Sequence, residues 1–193
     1  VFVYSMWLKR RTPQNIVIGG IAGSTPPLIG WAAAAGDSIQ NWNMFDLGSP
    51  VPWMLFFLIF LWTPPHFWAL ALYRSGEYGK VNIPMMNEVK GAKHTIFQSK
   101  VYVVCLFMLG SLPCFWPDAG VPLLWAFVSG GLTLWYAQSV WDIDPHEPFD
   151  SNGRMPKAAK SFFRSLYYLS WMFLSFVLIS FIPGEWLGFF GPL

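Results

Sequence analysis

The Lys and Arg residues of this chain fall into three patches separated by long apolar stretches. The first patch is Lys9, Arg10 and Arg11. The second is Arg74, Lys80, Lys90, Lys93 and Lys100, and the third is Arg154, Lys157, Lys160 and Arg164. A hydrocarbon core of about 30 Å takes about 20 helical residues, and each gap between patches has room for two such crossings. Backbone groups inside a bilayer find no water, so crossings of this kind satisfy their hydrogen bonds internally, as helices. The pattern therefore predicts an all-α, polytopic transmembrane helical bundle. It also sets an orientation, because Lys and Arg concentrate on the cytoplasmic side of membrane proteins.

Five full crossings are expected, at Asn15 to Ala35, Val51 to Tyr73, Ile96 to Trp116, Val121 to Trp141 and Phe162 to Ile182. Val1 to Leu8 reads as the end of a preceding helix. The turns at Gly36 to Pro50, Pro117 to Gly120 and beyond Pro183 lack Lys and Arg, and so face the opposite side. Successive helices then alternate in direction without conflict. The chain opens inside an apolar run, which gives the expectation that residues 1–193 are the C-terminal portion of one longer membrane domain.

Composition fits this reading. Apolar residues make up 54% and charged residues 11%, against roughly a quarter charged in soluble domains. The 12 Trp and 18 Phe suit interfacial belts and lipid-facing surface. A net charge of +2 supplies no field for nucleic acid. Cys105 and Cys114 are expected on one helix about 13 Å apart, which excludes a disulfide, so both read as packing residues.

Two proline pairs, Pro26–Pro27 and Pro64–Pro65, interrupt expected crossings. Proline removes a backbone donor and kinks a helix. In lipid the freed carbonyls need other partners, so such breaks tend to face protein or a wet cavity. Both pairs are expected to bend neighbouring helices around one cavity open to the basic side; a kink used for packing alone is the competing reading. Gly19 and Gly23 form a Gly-x-x-x-Gly that allows close helix approach.

The segment from Trp62 to Met86 concentrates the chemistry. His66 is an ionisable residue inside the membrane, and so a functional candidate. A neutral imidazole bonded to a helix carbonyl is the alternative. Glu77 is the sole carboxylate between Asp46 and Glu88, with Arg74, Lys80, Lys90 and Lys93 around it. An acid among cations can hold a magnesium ion that bridges a diphosphate; a solvated basic loop is the alternative. Lys9 and Arg10 could reach an anionic headgroup or simply anchor the topology, and Asn15 reads as a possible helix cap. The run Asp142, Asp144, Glu147, Asp150 is interrupted by Pro145 and Pro148 and reads as a turn-rich loop rather than a metal site. His146 belongs to that loop, and His94 to the one before Ile96.

Several strings together carry a resemblance. They are Trp7-Leu-Lys-Arg-Arg-Thr-Pro-Gln-Asn-Ile-Val-Ile-Gly-Gly, Pro26-Pro-Leu-Ile-Gly-Trp, Trp62-Thr-Pro-Pro-His-Phe-Trp-Ala-Leu-Ala-Leu, Glu77-Tyr-Gly-Lys-Val-Asn-Ile-Pro-Met, Val89-Lys-Gly and Arg164-Ser-Leu-Tyr-Tyr-Leu. In this order they resemble the heme O synthases, the protoheme IX farnesyltransferases among the intramembrane aromatic prenyltransferases. The likeness runs along nearly the whole chain. It implies a nine-helix prenyltransferase fold, of which this chain would hold the end of the fourth helix and the fifth to ninth. It implies farnesyl transfer from farnesyl diphosphate to a vinyl group of heme B, with magnesium as cofactor. It further implies an integral protein of a bacterial inner membrane, or of the mitochondrial inner membrane in a eukaryote, and contact with heme A synthase.

The resemblance also assigns residues. Glu77 would meet the metal and, with Lys80, serve catalysis. Lys9, Arg10, Asn15, His66, Arg74, Tyr78, Asn82 and Lys90 would bind substrate, with His66 meeting either the heme iron or a propionate. Trp62, Phe67 and Trp68 would lie near the cavity or simply pack. Two departures matter. The family's Asn-Asp-x-x-Asp-x-x-x-Asp motif has no counterpart here, and Glu77 stands where the family's second motif has Asp. Val81 stands where related prenyltransferases outside the heme branch carry a second Asp. The rival readings are a transporter half for an anionic substrate, which predicts an inverted repeat, and a non-catalytic remnant or assembly subunit.

Overall fold

A computed structural model describes residues 12–34, 47, 49–75, 84–112, 123–150 and 154–181. Among them are seven helices: α1 (Asn15–Gly23), α2 (Pro26–Ala34), α3 (Val51–Tyr73), α4 (Met86–Lys90), α5 (Ala92–Ser111), α6 (Leu123–Trp141) and α7 (Pro156–Ser180). No strand occurs among the described residues. Three stretches are long and apolar enough to cross a membrane: Asn15–Ala34, Val51–Tyr73 and Pro156–Ile179. The crossings expected at α5 and α6 are helices of 20 and 19 residues but fall short of that apolarity. The first half of α5 holds Lys93, His94, Gln98 and Lys100. In α6, Ser, Gly, Thr and Gln are mixed among aromatics.

Four long helices form an antiparallel ring in which α3 packs against α5 and α7, and α6 closes the far side. Cross-helix contacts fix the directions. Trp62 on α3 bonds to Ser165 on α7, Lys100 on α5 lies over Trp141 at the end of α6, and Ser129 near the start of α6 meets Gly110 near the end of α5. The interior takes Leu55, Leu58 and Trp62 from α3, Val103 and Leu106 from α5, Tyr136 and Val140 from α6, and Tyr168 and Met172 from α7. A second cluster of Leu72, Ile96, Ile143, Met155 and Ala158 closes one end. Arg74, Lys90, Lys93, Arg154 and Lys157 all lie at this end, as the charge pattern predicts. Outward, α7 exposes Phe163, Tyr167, Trp171, Leu174 and Leu178, a face suited to hydrocarbon.

The two proline pairs act differently. Pro26–Pro27 does not kink one helix; it ends α1 and starts α2, with Ser24 and Thr25 between. Pro26 has no N–H for the Ala22 carbonyl. That carbonyl instead accepts from the Thr25 hydroxyl at 2.8 Å, while the Ser24 hydroxyl donates to Gly20 O at 2.6 Å. Pro64–Pro65 stays inside a continuous α3. α1 and α2 both pack on α3. A close approach to α3 falls at Gly20 and not at Gly23. A Cβ on Gly20 would sit 3.4 Å from Thr63, next to the proline pair, whereas one on Gly23 would meet nothing.

Other boundaries move for local reasons. α5 begins at Ala92, so His94 is an exposed residue of its first turn and not of a loop. Gly91 makes this possible with φ +81°, a left-handed value that lets α4 turn straight into α5. α7 begins at Pro156, six residues before Phe162, because the Glu147 carboxylate caps the Lys157 N–H at 3.2 Å and Pro156 needs no donor partner. Cys105 is a half-buried free thiol of α5, and Cys114 lies outside the described residues.

Candidate functional site around His66

His66 lies seven residues before the end of α3, facing α7, with 6% of its surface exposed. Its imidazole is held between two aromatic rings. Trp62, one turn earlier, stacks at 4.3 Å between centroids and 20° between planes, and Phe162 of α7 stacks at 4.7 Å and 25°. Phe67 meets the ring edge-on at 5.1 Å. The i, i+4 spacing of Trp62 and His66 puts both on one helical face.

The hydrogen bonds define which nitrogen carries the proton. His66 Nδ1 is 2.6 Å from the Ser165 hydroxyl. That hydroxyl donates its hydrogen to the Phe162 carbonyl, also at 2.6 Å. Ser165 Oγ is therefore the acceptor, Nδ1–H the donor, and Nε2 the nitrogen left with a lone pair. The Trp62 indole N–H completes the seam by donating to Ser165 O at 2.8 Å. The expected alternative, an imidazole bonded to a helix carbonyl, gives way to a hydroxyl from another helix. Nε2 in this state accepts a proton or ligates a metal, and does not donate to a carboxylate.

Sequence reasoning missed Ser165 and Phe162. Ser165 lies within the string Arg164-Ser-Leu-Tyr-Tyr-Leu, but only the packing of α7 on α3 reveals its use. Trp68 is fully buried and meets Tyr102 edge-on at 5.5 Å, so it packs; Phe67 is 38% exposed.

The other predicted residues divide sharply. Glu77, Tyr78, Lys80, Asn82, Lys9 and Arg10 lie outside the described residues, as does Val81. Arg74 caps the C-terminal end of α3, with its N–H on Leu70 O at 2.9 Å. Lys90 is in the last turn of α4 and exposed. α4 is tied to α3 by Asn87, whose amide donates to Ala71 O at 3.3 Å. Arg74 and Lys90 thus flank the segment 76–83, at the end of α3 nearer His66. Asn15 is not the helix cap: Gln14 holds that position, and Asn15 is the first helical residue, 1% exposed.

Among the described residues, no three His, Cys, Asp or Glu side chains group as a cation site. Glu77, on which the expectation of magnesium rests, lies outside the described residues. The acidic loop after α6 spends its carboxylates on structure. Asp142 pairs with Lys160 at 3.8 Å, Asp144 accepts from the His146 N–H at 2.9 Å, and Asp150 accepts from the Arg154 N–H at 2.8 Å. Arg154 also donates to the Tyr73 hydroxyl at 3.1 Å, which fastens this loop to the end of α3.

A bundle of antiparallel membrane helices, with paired prolines and a buried histidine near a basic loop, defines a class that comparison makes explicit. The UbiA prenyltransferase family matches residues 1–176, and the chain belongs to that family. It is 47% identical over 179 residues to the protoheme IX farnesyltransferase of Parvibaculum lavamentivorans, covering 92% of this chain and 50% of that protein. It is 40% identical over 183 residues to the protein of the same name in Bartonella bacilliformis, covering 94% and 54%. With that of Brucella ovis it shares 44% identity over 175 residues, covering 89% and 50%. The chain spans about half the length of the curated relatives it matches. No solved structure matches it.

Proposed function

We propose that the intact protein transfers a farnesyl group from farnesyl diphosphate to a vinyl group of heme B, producing heme O. The observation that carries this reading is the His66 arrangement: an imidazole sandwiched by Trp62 and Phe162, with Nδ1–H on Ser165 and Nε2 left as a ligand. Such an imidazole suits the heme iron better than a propionate, because a carboxylate asks for a donor. The relatives' names supply the substrates.

Arg74 and Lys90, with Lys80, Asn82 and Tyr78 of the loop between them, are proposed to hold the diphosphate. Lys9 and Arg10, before α1, and Asn15, its first residue, are proposed to contribute. Cations fixed around a leaving diphosphate stabilise the charge that grows as the C–O bond breaks. The carbon centre left behind is sheltered from water by the aromatic wall, and rings such as Trp62 stabilise a nearby cation by roughly 0.5–2 kcal/mol each. The heme vinyl group attacks, and water then adds to give the hydroxyethylfarnesyl side chain. Glu77 is the carboxylate of this chain proposed to meet magnesium on the diphosphate. The protein is proposed to work in a bacterial inner membrane, with the basic end of the bundle on the cytoplasmic side.

The test is mass spectrometry for heme O, using intact purified protein supplied with heme B, farnesyl diphosphate and magnesium. Heme O formation that falls in Glu77→Ala supports the reading. An intact, heme-binding protein that makes no heme O under these conditions would sink it.

A further inference from the structure

On the opposite side of the ring from α1, a cavity of about 420 Å³ lies between α5 and α6. Its walls are Val103, Val104 and Phe107 of α5 and Leu134, Ala137 and Trp141 of α6. From Thr133 to Trp141 the lining runs about 12 Å along α6. The two polar lining residues are already engaged. The Thr133 hydroxyl donates to Ser129 O at 2.7 Å, and Gln138 Oε1 accepts from Arg164 at 3.2 Å. The groove therefore offers apolar surface along its length.

Lys100 supplies charge at one end, while Arg164 lies farther along α6, beside Trp135 and Gln138. Lys100 stands one turn before Val103 and Val104, with its ammonium 5.5 Å from the Trp141 ring. Arg164 reaches over from α7, bonded to Gln138 and to Trp135 O, with its guanidinium 5.1 Å from the Trp135 ring. Among the described residues, neither cation is paired with a carboxylate; Asp142 nearby is taken by Lys160. Val104, Phe107, Leu134 and Trp141 are all well exposed. An apolar channel that ends at Lys100 and Trp141 matches one amphiphile: acyl chain in the groove, anionic headgroup at the membrane surface. Basic pockets between membrane helices recognise anionic lipid headgroups in general.

We propose that the α5–α6 groove is a binding site for an anionic diacyl phospholipid of the leaflet on the basic side, its acyl chain along Leu134 and Phe107 and its phosphate at Lys100. This site is separate from the His66 seam and does not depend on the farnesyl-transfer reading.

Native mass spectrometry of the intact, detergent-purified protein tests it, with phosphatidylglycerol and phosphatidylcholine of identical acyl chains added in equal amounts. Phosphatidylglycerol should be retained at least about fivefold more, the size expected of a surface cation. Lys100→Gln should lower that preference about fivefold. Leu134→Trp, at an exposed position, should fill the groove and release lipids of both kinds. Excess inorganic phosphate should leave the bound lipid in place. Equal retention of the two lipids overturns the proposal. So does a preference unmoved by Lys100→Gln, or an intact protein that binds no lipid because another part of it covers the groove.

Discussion

The α3–α7 seam and the α5–α6 seam join helices of similar length in the same antiparallel sense, yet different forces hold them. Across α3–α7, Trp62 and His66 both bond to Ser165, and Phe162 stacks on the imidazole. Each partner there restricts the others, so the imidazole has one orientation and one tautomer. Across α5–α6, the close point is Gly110 against Ser129, with a hydroxyl–carbonyl bond of 3.2 Å. Nearer the basic end these two helices part and leave the groove. Hydrogen bonds between membrane helices contribute modestly, about 0.6 kcal/mol on average and up to about 1.7. The polar seam is therefore better explained by what it positions than by the stability it adds.

Four measurements would break or sharpen this contrast. The largest effect is expected from His66→Ala in the intact protein: heme O formation should fall roughly 10–100-fold, as on loss of a ligand or its support. Thermal unfolding should also come earlier, because losing a buried, stacked ring leaves a cavity, so turnover is compared where both proteins are folded. Unchanged turnover would make the polar seam a packing device like its counterpart. Next, Gly110→Val should destabilise by about 1–3 kcal/mol through overpacking, because its Cβ would lie 3.4 Å from Ser129. Unfolding in mixed detergent reads this, and a neutral result would mean that α5 and α6 are not tightly engaged there.

Ser165→Ala leaves the His66 N–H without its acceptor, and should cost about 0.6–1.7 kcal/mol of stability. Its distinguishing readout is the heme spectrum, which should lose the signature of a single imidazole ligand; Ser165→Thr should restore it. A spectrum indifferent to both changes would remove Ser165 as a positioning residue. The smallest effect belongs to Phe127→Leu on the outer face of α6, where the ring is 74% exposed. Stability should stay within about 0.5 kcal/mol. A larger loss would show that this face is covered in the intact protein.

Much of the fold was legible in the residues. α3 spans the expected Val51 to Tyr73, because a long apolar stretch and its basic flank specify a membrane helix without reference to neighbours. α7 was less legible at its start, since the Glu147 cap comes from a loop ten residues away. The break at Ser24–Thr25 was misread as a kink. Proline signals only a lost donor, and hydroxyl groups nearby decided that the helix would end. Of the site, His66 could be named from its place in an apolar segment, while the diphosphate-binding residues rested on resemblance.

The sequence alone determined the class of architecture, the common end for the basic residues and the family, since charge spacing, apolar length and local motifs are properties of one strand of chain. Only the tertiary structure decided that His66 donates through Nδ1, that Gly20 meets α3 while Gly23 does not, and that a groove lies between α5 and α6 on the basic side of Gly110. Those facts depend on residues from different helices, such as His66 and Ser165, meeting at distances set by helix packing. No periodicity within either segment encodes which hydroxyl will face which ring.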